Sequence, residues 1–214
     1  DRLVFANFNI RTGRGLDDQR DLDRTAECLK GVTVAGLNEV RGSAWYGRDR
    51  DQAETLAQKL GTGHLFAPTE RRWGREHFGN ALLTRLPVSE WLRIQLPRQH
   101  SDSHRNMLLA DLLLAPSTPM GGRIAVLVTH VDTRADREIQ LAAVIAMFRT
   151  LREPAVLIGD LNAGPEHPDI ARLLATPGVV GTNGAKPPGE LPGRVEWVIA
   201  KGLKPLDASS SPPW

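Results

Sequence analysis

The 214-residue chain has the length of one large domain, and its composition, 41% hydrophobic and 24% charged, is typical of a globular protein. Its 27 basic and 25 acidic residues give a formal charge of +2, which is too balanced to indicate nucleic-acid binding by charge alone. The sequence holds no run of about 18 apolar residues, so it predicts no transmembrane segment. We therefore expect a soluble domain.

The single cysteine, Cys28, excludes an intrachain disulfide, which fits the cytoplasm without excluding export. The chain begins at Asp1 rather than at methionine and shows no signal peptide, so we expect a segment of a longer protein. These features leave the compartment and the oligomeric state open.

Strand and helix patterns alternate along the chain. In chain order, strands are predicted over 3–10, 32–40, 79–88, 104–115, 123–131, 155–164 and 194–203. Helices are predicted over 21–31, 51–61, 135–151 and 166–176. Because several strands follow one another without a helix between them, the pattern favours an α+β sandwich over a doubly wound sheet. The Pro-, Gly- and Ser-rich stretches at 183–193 and 205–214 predict loop and tail, so we expect one domain over residues 1–214.

The strand predicted over 155–164 carries two polar residues, Asp160 and Asn162, after its apolar run. Residues two apart on an extended segment face the same side, so both polar groups can face one spot. Asp, Asn and Gly are also the usual turn formers, which makes an Asx turn the alternative interpretation.

Polar residues recur at the edges of other apolar strands, namely Asn9, Glu39, Asn80 and His130. Such groups suit a hard cation like Mg²⁺, which prefers oxygen ligands and is usually held by one or two carboxylates together with substrate phosphate. In this interpretation Glu39 supplies the metal ligand and Asp160 orients or deprotonates an attacking water. Asn162 would then hold a phosphoryl oxygen, and His130 would donate to the charge developing at phosphorus.

Other classes of site lack their signatures in this sequence. No His/Cys cluster has the spacing of a zinc site, and no G-x-S-x-G elbow, Walker motif or dinucleotide glycine motif is present. Residues available to bind phosphates or to stack on bases or lipid are Arg11, Arg14, Arg71, Arg72, Arg75, Trp45, Tyr46 and Trp73. Solvated arginines and packed aromatics are the alternative interpretation of that set.

Six motifs in order, "NFNIRTGRG", "LNEV", "GNALLTRLPV", "VTHVDTRADREIQLAAV", "IGDLNAGPEHPDI" and "GRVEWVIAKGL", resemble those of the endonuclease/exonuclease/phosphatase superfamily, the deoxyribonuclease-I-like fold. The resemblance covers residues 3 to 203. It implies a four-layered α/β sandwich of two packed mixed sheets flanked by helices, with the site at the strand ends. It also implies Mg²⁺- or Mn²⁺-dependent cleavage of a phosphoester by an activated water.

The resemblance assigns roles to individual residues. Glu39 and Asn9 match the family's metal positions, and Asn9 also lies beside the phosphate. His130 matches the phosphate-contacting His, while Asp160 and Asn162 match the pair that positions water and phosphate. Substrate binding is predicted for Asn9, Asn80, Asn162 and Arg14, with a turn as the alternative role of Asn80. Catalysis is predicted for His130, Asp160, Asn162 and Glu196.

The sequence departs from the family at two main places, at Glu196 and in the closing motif. Glu196 stands where the family has an Asp that orients a catalytic His, while in the "LNEV" motif Asn38 stands where the family usually has Gln. The family closes with an "SDH" motif, yet no His follows His167. We therefore expect the 214-residue chain to lack that His and the family's last strand, and Glu196 to lie at the site without its partner.

The predicted function is metal-dependent phosphoester hydrolysis, most simply by a phosphodiesterase acting on nucleic acid or on a phospholipid-type head group. The alternative is a catalytically weakened member that binds a phosphate ligand or a partner. Glu196 and the missing motif favour the alternative, whereas the retained Glu39, His130 and Asp160 oppose it.

Overall fold

A computed structural model describes residues 2–42, 51–72, 75–115, 122–182 and 195–207, without the side chains of 70–72 and 75–77. The strands are β1 (Phe5–Asn9), β2 (Val34–Val40), β3 (Gly63–Arg72), β4 (Arg75–Thr84), β5 (Val88–Gln95), β6 (Asn106–Leu113), β7 (Arg123–His130), β8 (Ala155–Asp160), β9 (Val179–Thr182) and β10 (Glu196–Lys201). The helices are α1 (Leu22–Cys28), α2 (Gln52–Leu60), α3 (Arg137–Thr150) and α4 (Pro168–Leu174), with a short 3₁₀ turn at Arg11–Gly13.

The strands form two mixed sheets. The first sheet has the order β1-β2-β4-β3, and the second has the order β5-β6-β7-β8-β10-β9. The pairs β1/β2 and β7/β8 are parallel, and the remaining neighbours are antiparallel. Each sheet therefore contains one parallel pair whose carboxyl ends lie at the same edge.

The fold has four layers, which are helices α1 and α2, the first sheet, the second sheet, and helices α3 and α4. Three apolar layers lie between them. Helices α1 and α2 pack on the first sheet through residues such as Leu29, Leu56 and Leu37. Helices α3 and α4 cover the second sheet through Phe148, Leu173 and Leu157. Between the sheets lie Val34, Leu82, Val128 and Ile158. This arrangement confirms the predicted four-layered sandwich of two mixed sheets flanked by helices.

All four predicted helices and all seven predicted strands are present, with ends that differ by up to four residues. Strand β4 begins at Arg75, so Asn80 lies within the strand rather than before it. Strand β8 ends at Asp160, so the predicted extension to residue 164 is wrong. In the described part of the chain, no helix is both long and apolar enough to cross a bilayer.

Three strands, β3, β5 and β9, have no counterpart in the prediction. Strand β5 lies at an edge of the second sheet with most of its residues exposed, so its sequence lacks the alternation that marks a half-buried strand. Strand β9 is a four-residue edge strand, and β3 carries Pro68. Short, exposed or proline-containing strands give the weakest sequence signal.

The two sheets approach each other closely beside Gly36 on β2. A Cβ added there would lie 2.5 Å from Ile158 Cγ2 and 3.2 Å from Val128 Cγ1. We expect Gly36→Ala to destabilise the fold by about 1–3 kcal/mol, because an extra methyl group must displace packed side chains of the other sheet. Urea unfolding measures the difference, with Gly63→Ala as control, since its Cβ meets only an ordinary 3.5 Å contact with Thr84. Equal stability of the two variants would contradict the close approach.

Candidate active site

The carboxyl ends of the parallel pairs β1/β2 and β7/β8 lie at one edge of the sandwich. They bring together four predicted site residues, which are Asn9, Glu39, His130 and Asp160. Asn9 pairs in register with Asn38, and His130 pairs with Asp160. Asp160 follows Ile158 at a two-residue interval, so its side chain shares the strand face that points toward the first sheet. Both sheets thus contribute polar side chains to the space between their ends.

One amide joins the two carboxylates. Asn9 Nδ2 donates to Glu39 Oε1 at 3.0 Å and lies 3.4 Å from Asp160 Oδ2. Asn9 Oδ1 in turn accepts a hydrogen bond from the Arg11 backbone N–H at 3.1 Å. Glu39 from the first sheet and Asp160 from the second therefore converge on the same point.

An irregularity in β2 directs Glu39 to this point. The pairing register between β2 and β4 shifts between Leu37 and Val40, and Glu39 has a φ of 56°. Four of the five described non-glycine residues with positive φ lie at this edge of the sandwich, namely Arg11, Thr12, Glu39 and Asn162. Left-handed backbone at non-glycine residues costs free energy and is concentrated at functional sites, so this clustering makes the edge a candidate site.

Asp160 takes part both in a turn and in the cluster formed by Asn9, Glu39, His130 and Asp160 itself. Its Oδ1 accepts the Asn162 backbone N–H at 3.1 Å, which is the Asx turn, while its Oδ2 faces Asn9. Asn162 has a φ of 46° and is not on an extended strand, so strand alternation does not explain its direction. Its Nδ2 donates instead to Val131 O at 2.8 Å, which keeps the amide beside the end of β7.

Burial raises the pKa of Asp160 above its usual value, and the negative charge of Glu39 raises it further. Hydrogen bonds from the Asn162 backbone and from Asn9, together with the charge of Arg105, act in the opposite direction without cancelling the effect. A raised pKa makes the Asp160 carboxylate a stronger base than an exposed aspartate.

His130 is 4% exposed, and its Nε2 lies 3.7 Å from Asp160 Oδ2, which is too long for a hydrogen bond. Burial lowers its pKa to about 3, and the charge of Arg105 adds to this effect while Asp132 opposes it. The imidazole is therefore neutral at pH 7 and does not form an ion pair with Asp160. Its Nδ1 is buried and has no hydrogen-bond partner among the described residues.

The lowered pKa of His130 makes the stability of the protein depend on pH. In the unfolded chain the imidazole binds a proton below about pH 6.5, whereas in the folded protein it stays neutral to about pH 3. The stability contributed by the neutral ring is thus present above pH 6.5 and is lost as the pH falls toward 3. At about pH 4.5 the loss is ~3 kcal/mol, from two pH units at ~1.4 kcal/mol each.

We expect His130→Gln to remove this dependence. Urea unfolding at pH 7 and about pH 4.5 should show the wild type losing ~3 kcal/mol more than the variant, since glutamine does not titrate. The same loss in both proteins would contradict a buried neutral imidazole.

A chain of buried amides connects the sheets beneath the cluster. Asn38 Nδ2 donates to Asn80 Oδ1 at 2.9 Å and to Thr129 O at 2.9 Å, and Asn38 Oδ1 accepts the Asp160 backbone N–H at 3.0 Å. Asn80 Nδ2 donates to Asn106 at 3.1 Å. Asn80 is 1% exposed and its amide is used on both sides by protein groups. Its assignment to substrate binding stays a prediction.

The remaining predicted residues lie at different distances from the cluster. Glu196 is exposed and pairs with Asp160 across the antiparallel β8/β10 ladder, so its side chain leaves the same face beside it. Arg14 forms an ion pair with Asp18 at 2.6 Å in the loop before α1. Predicted substrate contacts whose side chains lie outside the described residues are Trp45, Tyr46, Arg71, Arg72, Trp73 and Arg75.

Sequence reasoning missed Arg105 and Asp132. Arg105 precedes β6, which runs antiparallel to β7, so the start of β6 lies beside the end of β7 where His130 is located. The positive charge of Arg105 contributes to lowering the pKa values of His130, Asp132 and Asp160, as expected from this location. Only the antiparallel pairing of β6 with β7, once known, would have pointed to it.

The carboxylates of Glu39 and Asp160 fit a hard divalent cation, because an intervening cation would neutralise these two like-charged groups. The repulsion is visible in the raised pKa of Asp160, to which Glu39 contributes. Asn9 would have to turn its amide to join them as a ligand, because it points Nδ2 toward both carboxylates and Oδ1 toward the Arg11 backbone N–H.

A second group could also hold a metal ion. Glu138, His167 and Asp169 place their ligand atoms within 4.8 Å of one another at the starts of α3 and α4. His167 Nδ1 accepts the Asp169 backbone N–H at 3.3 Å, which leaves the proton of the neutral ring on Nε2, 3.0 Å from Glu138 Oε2. Hydrogen bonds thus account for this group without a metal.

A two-sheet sandwich with carboxylates, amides and a neutral histidine at the strand ends is the architecture of a class of phosphoester-cleaving proteins. The sequence profile of the Endonuclease/Exonuclease/phosphatase family matches residues 6–213. The chain belongs to this family. No curated protein sequence matches the chain.

Solved structures share the fold. A protein from Leptotrichia buccalis C-1013-b named for the same family has a TM-score of 0.71 and 15% identity over 95% of this chain and 89% of that one. The mannosyl-6-phosphatase Bt3783 of Bacteroides thetaiotaomicron VPI-5482 has a TM-score of 0.66 and 14% identity, over 94% and 85%. An endonuclease/exonuclease/phosphatase from Beutenbergia cavernae DSM 12333 has a TM-score of 0.69 and 23% identity over 91% of this chain. This chain spans 63% of the Beutenbergia protein.

Proposed function

We propose that this chain is a divalent-metal-dependent phosphoester hydrolase, a phosphodiesterase that uses Mg²⁺ or Mn²⁺. The observation that carries the proposal is the convergence of Glu39 and Asp160, from different sheets, on the Asn9 amide beside His130. Family membership over residues 6–213 supports hydrolysis of a phosphoester.

Glu39 and Asn9 would hold the cation, which when bound supplies positive charge to a phosphoryl oxygen. Asp160 Oδ2 would orient the attacking water and take its proton as the new P–O bond forms. The bond to the leaving oxygen breaks, and that oxygen takes a proton from solvent.

Three neighbouring groups would stabilise the negative charge that develops at phosphorus. The neutral His130 would donate the N–H of Nε2, the ring nitrogen that faces Asp160. Asn162 retains one amide N–H beyond the one it gives to Val131. Arg105 contributes a positive charge that already acts on His130 and Asp160.

The substrate class we propose is a phosphodiester of nucleic acid or of a phospholipid-type head group. A phosphomonoester is the comparison, since one structural neighbour is named a mannosyl-6-phosphatase. Glu196 on β10 pairs with Asp160 across the sheet, and we propose that its side chain lines the solvent-facing side of the site.

An activity panel tests the proposal. The chain is assayed with Mg²⁺, with Mn²⁺ and with EDTA on plasmid DNA, RNA, abasic DNA, sphingomyelin, phosphoinositides and mannose 6-phosphate, with Asp160→Asn as the inactive control. We expect metal-dependent cleavage of a diester that the variant lacks. Phosphate binding without turnover of any substrate would contradict the proposed hydrolase activity and would favour a phosphate-binding domain.

A further inference from the structure

The loop between β5 and β6 (residues 96–105) is fastened by one buried carboxylate. Leu96 N donates to Arg105 O at 2.9 Å and closes the base of the loop. Asp136, which is 1% exposed, accepts three backbone N–H groups from the loop, at 3.0, 2.9 and 3.0 Å from Gln99, His100 and Ser101. Hydrogen bonds to a carboxylate are stronger than neutral ones, so three of them fix this loop firmly.

Asp136 holds the loop at the expense of its own helix. It occupies the position before α3, where an aspartate ordinarily accepts an N–H of the first turn. Within the described segment 122–182 its side chain makes no such bond, whereas Asp21 and Asp51 cap α1 and α2 in the usual way. The loop is therefore the partner of this carboxylate.

One more side chain ties the same loop to the segment after β7. Gln140 Nε2 donates to Pro97 O at 3.1 Å, and its Oε1 accepts the Asp132 backbone N–H at 2.9 Å. Ser101 of the loop also contributes to lowering the pKa of the Asp132 carboxyl. The loop is thus attached to the residues that directly follow His130.

The residue of this loop that lies nearest the candidate active site is Arg105. Arg105 is the last residue of the loop, directly before β6, and the antiparallel pairing of Met107 with Thr129 places it near His130 at the end of β7. In the observed conformation its charge acts on His130, Asp132 and Asp160 together.

We propose that Asp136 is a positioning residue of the candidate active site, whose buried carboxylate holds the β5–β6 loop so that Arg105 lies beside His130 and Asp160. The inference rests on the proposed function, since Arg105 there stabilises charge on the phosphate. Asp136 itself acts only through the loop.

Two variants of Asp136 test the proposal in the full chain. Asp136→Asn keeps the size but loses the charge that three donors require. Asp136→Ser restores a preferred helix cap while being too short to reach the loop, so α3 and folding are preserved. Asp21→Asn is the control, because it alters a helix-capping carboxylate away from the loop. The readouts are amide hydrogen exchange at residues 99–101, turnover of bis(p-nitrophenyl) phosphate with Mn²⁺, and inorganic phosphate affinity by calorimetry.

We expect both Asp136 variants to lose about tenfold in exchange protection and about tenfold in kcat, with KM changed less than about threefold. In an Arg105→Ala background, Asp136→Asn should cost no further activity, since both changes remove the same interaction. A full additional loss in that background, or lost protection with unchanged kcat and phosphate affinity, would overturn the proposal.

The phosphate measurement separates this inference from the proposed function. If the wild type binds phosphate but turns over no diester, the proposed function fails. The positioning role of Asp136 is then tested by phosphate binding alone. We expect its variants to weaken phosphate binding by about tenfold, as we expect of Arg105→Ala. Unaltered phosphate affinity in the Asp136 variants overturns the positioning role in that case, and a wild type that neither turns over a diester nor binds phosphate overturns both.

Discussion

Glu39→Gln is expected to lower kcat/KM for metal-dependent hydrolysis by about three orders of magnitude, or ~4 kcal/mol of transition-state stabilisation. Glutamine retains the shape of the side chain and one acceptor for the Asn9 amide, which now bonds Glu39 at 3.0 Å. What it loses is the negative charge that would hold the cation. Because the hydrogen bond can persist, thermal unfolding should change little.

Calorimetric titration with Mn²⁺ measures the effect on binding directly. The matched control is Glu138→Gln, which removes a carboxylate from the other group that could hold a metal, at the starts of α3 and α4. We expect Glu39→Gln to lose the binding isotherm and Glu138→Gln to keep it. Full affinity in Glu39→Gln, or loss only in Glu138→Gln, would move the metal away from the strand ends.

Much of this fold could be predicted from local sequence, because buried strands and amphipathic helices have recognisable hydrophobic patterns. The apolar run before Asp160 and the β-branched and aliphatic residues before His130 predicted β8 and β7, and their polar termini predicted an edge rich in site residues. Strand β5 could not be predicted in the same way, because its Trp91 and Leu92 are exposed at 40% and 60%. Its place in the sheet comes from pairing with β6.

The details of the site depend on contacts between distant segments. The direction of Glu39 follows from a register shift and a positive φ, neither of which a single strand pattern contains. Asn162 was predicted on a strand with an Asx turn as the alternative, and its backbone N–H closes that Asx turn. Asp136 directly precedes α3, yet its carboxylate binds a loop 35 to 37 residues earlier in the chain. Such long-range partners are fixed only when the sheets assemble.

Asp160→Asn is expected to leave the fold nearly intact. The carboxylate is buried and lies beside Glu39, and both effects disfavour its charged form. Replacing it with a neutral amide removes that unfavourable charge. The variant keeps an acceptor for the Asn162 backbone N–H but turns an N–H toward Asn9, so it loses the 3.4 Å contact, which is the longer of the two made by Asn9. These opposing effects should shift Tm by only a few degrees.

The same substitution should lower kcat by about 10³ while KM changes little, because it removes the base that receives the proton of the attacking water. Asparagine cannot accept that proton, although it can still orient a neighbouring water. Steady-state kinetics with bis(p-nitrophenyl) phosphate and Mn²⁺ gives both constants, with Asp111→Asn on β6 as the matched carboxylate-to-amide control. A rise in KM at constant kcat would assign Asp160 to substrate binding instead. Unchanged kinetics would exclude it from the reaction, and the raised pKa would then reflect burial and Glu39 alone.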